Sequence, residues 1–106
     1  MSKYLFEARY TAAGARGVAR DGGTARRAAV AKACASAGGK LEVMYFAFGG
    51  VDAYVIADMP DNVAAAALAL AVNQAGTATT NTVVLMTPEE VDAAGKKSID
   101  YTPPKA

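Results

Sequence analysis

The chain contains no histidine and only one cysteine, Cys34. Without histidine there is no side chain that normally titrates near neutral pH, no serine–histidine triad and few of the usual zinc or haem ligand sets. A lone cysteine cannot form a disulfide within the chain, so no oxidising compartment is needed. Carboxylates, tyrosines, lysines and arginines remain for chemistry, and we expect neither a metal nor a cofactor.

The chain also lacks a large excess of either charge and lacks long hydrophobic runs. The net charge is +1 over 106 residues, which gives no long-range field to attract nucleic acid. The longest apolar run, residues 63–72, has ten residues and is too short to span a bilayer. Glu7 and Arg9 interrupt the segment in which a signal peptide would be apolar. We therefore expect a cytoplasmic protein that binds neither nucleic acid nor membrane.

The composition that remains is that of one compact domain spanning residues 1–106, with a tail over 98–106. Hydrophobic residues make up 53% of the chain, which excludes disorder over most of its length. Much of this apolar content is alanine, so the core consists of many small groups and few large ones. Such a domain gains from burying further surface, which favours a homo-oligomer.

Aromatic and β-branched residues predict four strands, over residues 3–11, 40–48, 52–58 and 77–87. Side chains alternate between the two faces of the first strand. One face carries Tyr4, Phe6, Ala8 and Tyr10, and the other carries Leu5, Glu7 and Arg9. Gly49 and Gly50 join the second and third strands, and we expect them to form a tight turn with positive φ.

Two long helices and one short helix are predicted between and after these strands. Residues 24–39 favour a helix capped by Thr24 and closed by Gly38, after a glycine-rich connection over 12–23. Residues 58–76 form the second helix, with Asp58 or Asp61 at its start and Gly76 at its end. It is apolar on all sides and needs two covered surfaces. The third helix, over 87–95, begins with Thr87, Pro88 and Glu90, a capping box.

This order of elements is the βαββαβ pattern of ferredoxin-like α+β folds, followed by a short C-terminal helix. The pattern predicts an antiparallel four-stranded sheet with helices on one face. The open sheet face and the apolar second helix both need cover, so we predict a homodimer or a higher homo-oligomer.

Several ordered blocks of the chain resemble the GYD-domain family of small bacterial proteins. They are KYLFEARYT, GGTARRAAV, GGKLE, YFAFGGVDAYVIADMPDN and TPEEVD, and the similarity extends over nearly the whole chain, roughly residues 3–104. The resemblance implies a dimeric α+β barrel, in which two ferredoxin-like sheets meet face to face, and brings no established activity. The Gly-Tyr-Asp motif falls on Gly50, Val51 and Asp52. Valine replaces its tyrosine, which favours a structural role for the motif.

The first candidate site is the start of the helix that follows residues 21–23. The free amides of a helix N-terminus favour an anion, and guanidinium groups match phosphate or carboxylate. The anion-binding candidates are Gly22, Gly23, Thr24, Arg26 and Arg27. The alternative is a capped helix with two solvated arginines.

The second candidate site is a polar group on the sheet that would line the cavity of a dimeric barrel. Its residues are Glu7, Arg9, Asp52 and Tyr54. A buried carboxylate there can act as a general acid or base, and Tyr54 can orient an oxygenated ligand. The alternatives are that Arg9 pairs with a nearby acid, and that Asp52 holds the hairpin by bonding to amides.

Three functions follow from these sites. The leading hypothesis is a homo-oligomeric accessory module that binds a small anionic or oxygenated molecule. The alternative is a cofactor-independent enzyme of the oxygenase or isomerase type, which rests on analogy of fold. A purely structural oligomer is the third. Cys34, in the alanine-rich helix, is expected to be a small buried apolar group rather than a nucleophile.

Overall fold

The computed structural model describes residues 1–105 and contains one four-stranded antiparallel sheet with four helices in that range. In chain order the elements are β1 (Ser2–Tyr10), α1 (Ala12–Asp21), α2 (Gly23–Ser36), β2 (Lys40–Phe46), β3 (Ala53–Met59), α3 (Asn62–Gln74), β4 (Ala78–Leu85) and α4 (Pro88–Gly95). The strands lie side by side in the order β2-β3-β1-β4, and every neighbouring pair is antiparallel. The predicted α+β, ferredoxin-like fold is therefore confirmed. Ala106, the end of the predicted tail, lies outside the described residues.

The central strand β1 has the predicted alternation. Tyr4 and Phe6 are buried at 3% and 5% exposure and contact the core, whereas Leu5 between them lies on the opposite face and is only half-buried. In β3, Val55, Ala57 and Met59 are buried on the same side as Tyr4 and Phe6. One face of the sheet is therefore packed under helices, and the other face is open.

The core under the helices is built from a few large side chains and many small ones, as the alanine content predicts. Met59 and Cys34 are the largest fully buried side chains, and Ala57 is buried beside them. Burial raises the pKa of the Cys34 thiol above its ordinary value. Cys34 is thus the buried apolar group that the sequence predicts.

The predicted start of α4 is confirmed, whereas the helix predicted over residues 58–76 begins later, at Asn62, because residues 58 and 59 belong to β3. The Asp61 carboxylate accepts a hydrogen bond from the Ala64 N–H at 2.8 Å and caps α3, whereas Asp58 pairs with Lys3. At α4 both bonds of the capping box form, since Thr87 Oγ1 accepts from the Glu90 N–H and Glu90 Oε1 accepts from the Thr87 N–H.

The glycine-rich connection predicted over residues 12–23 is wrong, because most of it is helix α1. Thr11 Oγ1 accepts a hydrogen bond from the Gly14 N–H and caps this helix. Gly14 and Gly17 lower helix propensity, which is why the sequence favours a loop. At Gly14 the tertiary structure requires glycine, because a methyl group there would overlap the carbonyl oxygen of Thr77.

Two further local predictions are wrong. Thr24 lies inside α2 and does not cap it; the helix begins after Gly22, which has φ of 90° and also ends α1. Gly49 and Gly50 do not have positive φ, so the connection between β2 and β3 is not a two-residue primed turn. It is a longer loop, closed by a hydrogen bond from the Ala47 N–H to the Asp52 carbonyl oxygen at 2.8 Å.

Candidate functional site

A cleft opens between α2 and α3, above the packed face of the sheet. Helix α2 packs mainly on β2 and α3 mainly on β4, at opposite sides of the sheet, so a gap remains between the two helices above the middle strands. The resulting cavity has a volume of about 330 Å³. Its apolar lining includes Phe6, Val30, Met44, Val55, Leu68 and Val72. Ligand pockets start at about this volume, so the cleft can hold a small apolar group.

Tyr10 and Arg26 are the two polar side chains of the cleft that matter most for chemistry. Both line the cavity, Tyr10 half-buried at the end of β1 and Arg26 exposed on the first turns of α2. Burial raises the pKa of the Tyr10 phenol, and the Asp52 carboxylate raises it further, while Arg26 opposes both effects. The phenol is therefore protonated at neutral pH and can donate a hydrogen bond.

The side-chain polar groups of Tyr10 and Arg26 have no hydrogen-bonding partner within residues 1–105. The Tyr10 hydroxyl and the Arg26 guanidinium each make no hydrogen bond, and Arg26 is in no ion pair there. A phenol O–H and a guanidinium group both donate, and together they suit a carboxylate or another anionic oxygen. The cleft thus combines an apolar chamber with a pair of free donors.

A second, smaller cavity of about 250 Å³ lies between α1 and α2 and shares Tyr10 and Arg26 with the first. Arg20 and Asp21 also line it, and they bind each other at 2.9 Å. The phenol and the guanidinium therefore stand between two cavities, one mainly apolar and one more polar. A ligand can place its apolar body in the first and its charged end at the boundary.

The structure separates the predicted anion-binding residues. Gly22 and Gly23 form the junction of α1 and α2, and Gly23 lies against the Phe46 ring. Arg26 lines the cleft, whereas Thr24 and Arg27 line a shallow depression beside β2. Arg26 and Arg27 therefore do not form one double-arginine site.

Three of the four predicted polar residues share the open face of the sheet. Glu7 lies opposite Tyr54 in β3, and its Oε1 accepts a hydrogen bond from Asn81 Nδ2 at 2.9 Å. Arg9 does not pair with an acid; its Nε donates to the carbonyl oxygen of Gly50 at 2.5 Å. Within residues 1–105 this face carries a row of polar side chains, and none of the described cavities is lined by Glu7, Arg9 or Tyr54.

Asp52 is engaged with the end of β1. Its carboxylate accepts a hydrogen bond from the Tyr10 N–H at 2.8 Å, and its own N–H donates to the Ala8 carbonyl oxygen at 2.8 Å. These bonds reach across to β1, beyond the hairpin that the sequence suggests. Asp52 therefore holds the backbone of Tyr10, the residue whose phenol lines the cleft.

Sequence reasoning assigns Tyr10 to the packed face but misses it as a site residue. The signal is its position: it follows Tyr4, Phe6 and Ala8 on the same face, at the last residue of β1. There the cleft between α2 and α3 leaves the phenol partly exposed. The cleft depends on how the helices pack, which the sequence of β1 alone does not reveal.

These features define a class: a ferredoxin-like α+β domain with an apolar cleft between its two main helices. The family model of the GYD domain matches residues 4–94, so this chain belongs to the GYD-domain family. Neither the comparison with curated proteins nor that with solved structures finds a match. Among the described helices, none has the length and apolar character required to cross a membrane.

Proposed function

We propose that this protein is a homodimeric module that binds a small molecule with an apolar body and an anionic or oxygenated end. The observation that carries the proposal is the cleft between α2 and α3, where an apolar cavity of about 330 Å³ meets the free donors of Tyr10 and Arg26. A binding module needs such a chamber, and a purely structural oligomer does not. No carboxylate lines this cleft within residues 1–105, so we propose binding rather than acid–base catalysis.

The ligand end is best matched by a carboxylate. Arg26 supplies a planar pair of N–H donors, and the protonated Tyr10 phenol supplies an O–H donor to the same group. The apolar walls supply no further charge, so the rest of the ligand must be uncharged. Short alkyl carboxylates and arylcarboxylates have this form and fit the volume.

Arg26→Gln should abolish most of the affinity for such carboxylates. A hydrogen bond to a charged group contributes about 1.5–3 kcal/mol, which corresponds to a loss of about 10- to 150-fold in affinity. The measurement is thermal unfolding of the purified protein with octanoate, benzoate, octan-1-ol and inorganic phosphate. We expect the carboxylates to raise the Tm of the wild type, and octan-1-ol to do so less.

Two variants control this measurement. Arg27→Gln removes the same charge from the next residue, which lines a different surface, and should keep the wild-type response. Ala33→Leu places extra methyl groups in the cleft and should abolish the response without touching Arg26. If no carboxylate shifts the wild type, or if Arg27→Gln loses the response while Arg26→Gln keeps it, the proposed site is wrong.

The dimer is proposed from the open sheet face. A row of apolar side chains crosses this face at the level of Leu5, which lies opposite Ile56 on one side and Val83 on the other, and Val43 lies beyond Ile56. Charged and polar groups flank the row: Lys3 binds Asp58 and Glu42, each at 3.1 Å, and Glu7 binds Asn81. Such an apolar centre with a polar rim is the composition of an interface.

Ile56→Asp should convert the protein to a monomer, because it places a charge in the centre of the apolar row without a partner. The oligomeric state is measured by light scattering after size-exclusion chromatography, and circular dichroism verifies folding. Ala35→Asp adds the same charge on the exposed side of α2 and should leave the assembly unchanged. A folded Ile56→Asp protein that keeps the wild-type mass would show that this face is not the interface.

A further inference from the structure

The C-terminal arm, residues 86–105, consists of helix α4 and irregular segments on either side of it, and it buries none of its side chains. Every residue of the arm is exposed, including Val91, Ile99 and Tyr101 at 56%, 76% and 60%. Helix α4 lies within it, has eight residues, buries none of them and packs extensively against no other element of residues 1–105. Isolated helices shorter than about 12–15 residues are marginal in water even with good caps. The arm therefore needs a surface to pack on.

The shape of the chain shows that the arm points away from its own domain. The radius of gyration is 16.8 Å, and the molecule measures 54 Å along its longest axis and 22 Å along its shortest. A compact domain of this length has a radius of gyration of about 13 Å. The arm leaves the sheet at Leu85, the last residue of β4, and does not fold back over α3.

Helix α3 presents an apolar surface that nothing covers within residues 1–105. Val63, Ala66, Ala67 and Leu70, here called the α3 stripe, have the i, i+3, i+4, i+7 spacing of one helix face, and all are exposed. No residue of α3 carries a charge. Beside the stripe runs a groove of about 500 Å³ between α3 and β4, lined by Leu70, Ala66 and Val84 among others.

We propose that the C-terminal arm packs on the α3 stripe and the adjoining groove of a second copy of this chain. The arm carries exposed apolar side chains at Val91, Ile99 and Tyr101, and the α3 stripe is apolar and uncovered. A reciprocal exchange buries both surfaces in each of the two chains. The arm supplies 20 residues, about the number on one side of a stable interface.

The second copy is favoured over the arm's own domain because the arm does not use the nearer surface. Leu85 ends β4, the strand against which the arm's own α3 packs, yet α4 packs extensively against no element of its own domain and the molecule extends to 54 Å. Leu85 also lies opposite Lys3 on the open face that meets the partner in the proposed dimer, so the arm can pass round the edge of the partner's sheet to the helices on its far side. The inference rests on the proposed function for the identity of the partner. It adds that the arm crosses to that partner and covers its α3.

The test is a cross-link in the full-length protein. A chain carrying both Leu70→Cys and Ile99→Cys is treated with a short bismaleimide and run on a denaturing gel. Cys34 is buried and its thiol pKa is raised, so it remains unreactive and needs no substitution. We expect a band of two linked chains. In the control, Arg16→Cys replaces Leu70→Cys; Arg16 is exposed on α1, and the band should be lost.

Each outcome decides the inference. A link within one chain, seen as a band at the mass of one chain that has consumed both thiols with a single reagent molecule by mass spectrometry, would mean that the arm covers its own α3 and overturns the proposal. Absence of any link would overturn it as well. Combining the cysteine pair with Ile56→Asp separates the two interfaces: if Ile56→Asp yields a monomer while the native assembly shows no link, only the arm exchange fails. If the link forms and Ile56→Asp leaves the mass unchanged, only the sheet-face dimer fails.

Discussion

Met59→Ala is expected to lower the free energy of unfolding by about 2–5 kcal/mol, the range for removing a large buried side chain. Met59 is fully buried at the end of β3, where it packs with Tyr4, Ala57 and the other core residues. The substitution leaves a cavity in the buried cluster, which the surrounding side chains fill only in part. Domains of this size are stable by about 5–15 kcal/mol, so the loss is a large fraction of the total.

Urea unfolding followed by circular dichroism measures this effect, at equal protein concentration for each variant because assembly contributes to stability. Phe48→Ala is the control. It removes a larger side chain that is fully exposed in the loop between β2 and β3, and it should change the stability by less than about 0.5 kcal/mol. Equal losses for Met59→Ala and Phe48→Ala would contradict the described core.

Gly14→Ala is expected to destabilise the protein by about 1–3 kcal/mol, the typical cost of overpacking. Alanine is the better helix former, so α1 by itself would gain stability. The added methyl group, however, overlaps the Thr77 carbonyl oxygen, which is backbone and cannot rotate away. Either α1 or the segment before β4 must shift. Thr77 and Tyr10 both line the cleft, so carboxylate binding should weaken too.

Gly17→Ala provides a control in the same helix with the opposite expected sign. A methyl group at Gly17 meets only the flexible end of Arg20, at 3.9 Å. The substitution should therefore stabilise the protein by about 0.5–1 kcal/mol through helix propensity alone. Thermal unfolding of both variants checks the pair. If both substitutions stabilise the protein, α1 does not lie against Thr77.

The elements governed by neighbours along the chain were predictable. The alternation of Tyr4, Leu5 and Phe6 assigns the two faces of β1, and the Thr87–Glu90 spacing marks the start of α4. In each case the interacting groups lie within a few residues of one another. Helix α1 was not predictable in this way, because Gly14 follows no local preference. Glycine is required at this position because a side chain would overlap the carbonyl oxygen of Thr77, a residue 63 positions further along the chain.

The candidate site also combines residues that the sequence nominates with an arrangement that only the tertiary structure reveals. The sequence nominates Arg26 and Arg27 as neighbours, but consecutive helix residues point about 100° apart, so only Arg26 reaches the cleft. Asp52 is singled out by the sequence, yet its partner, the Tyr10 N–H, is brought to it by the pairing of β1 with β3. Tyr10 becomes a site residue only because α2 and α3 pack on different strands.

The sequence by itself determined the four strands, the helices other than α1, the antiparallel α+β fold, the family and the chemistry that is missing, because these depend on composition and on short-range periodicity. Only the tertiary structure decided that a cleft exists between α2 and α3, that Tyr10 and Arg26 meet there, and that the C-terminal arm stands away from its own domain. These features arise from contacts between residues far apart in the chain. Their geometry depends on how side-chain volumes pack, which local preference does not encode.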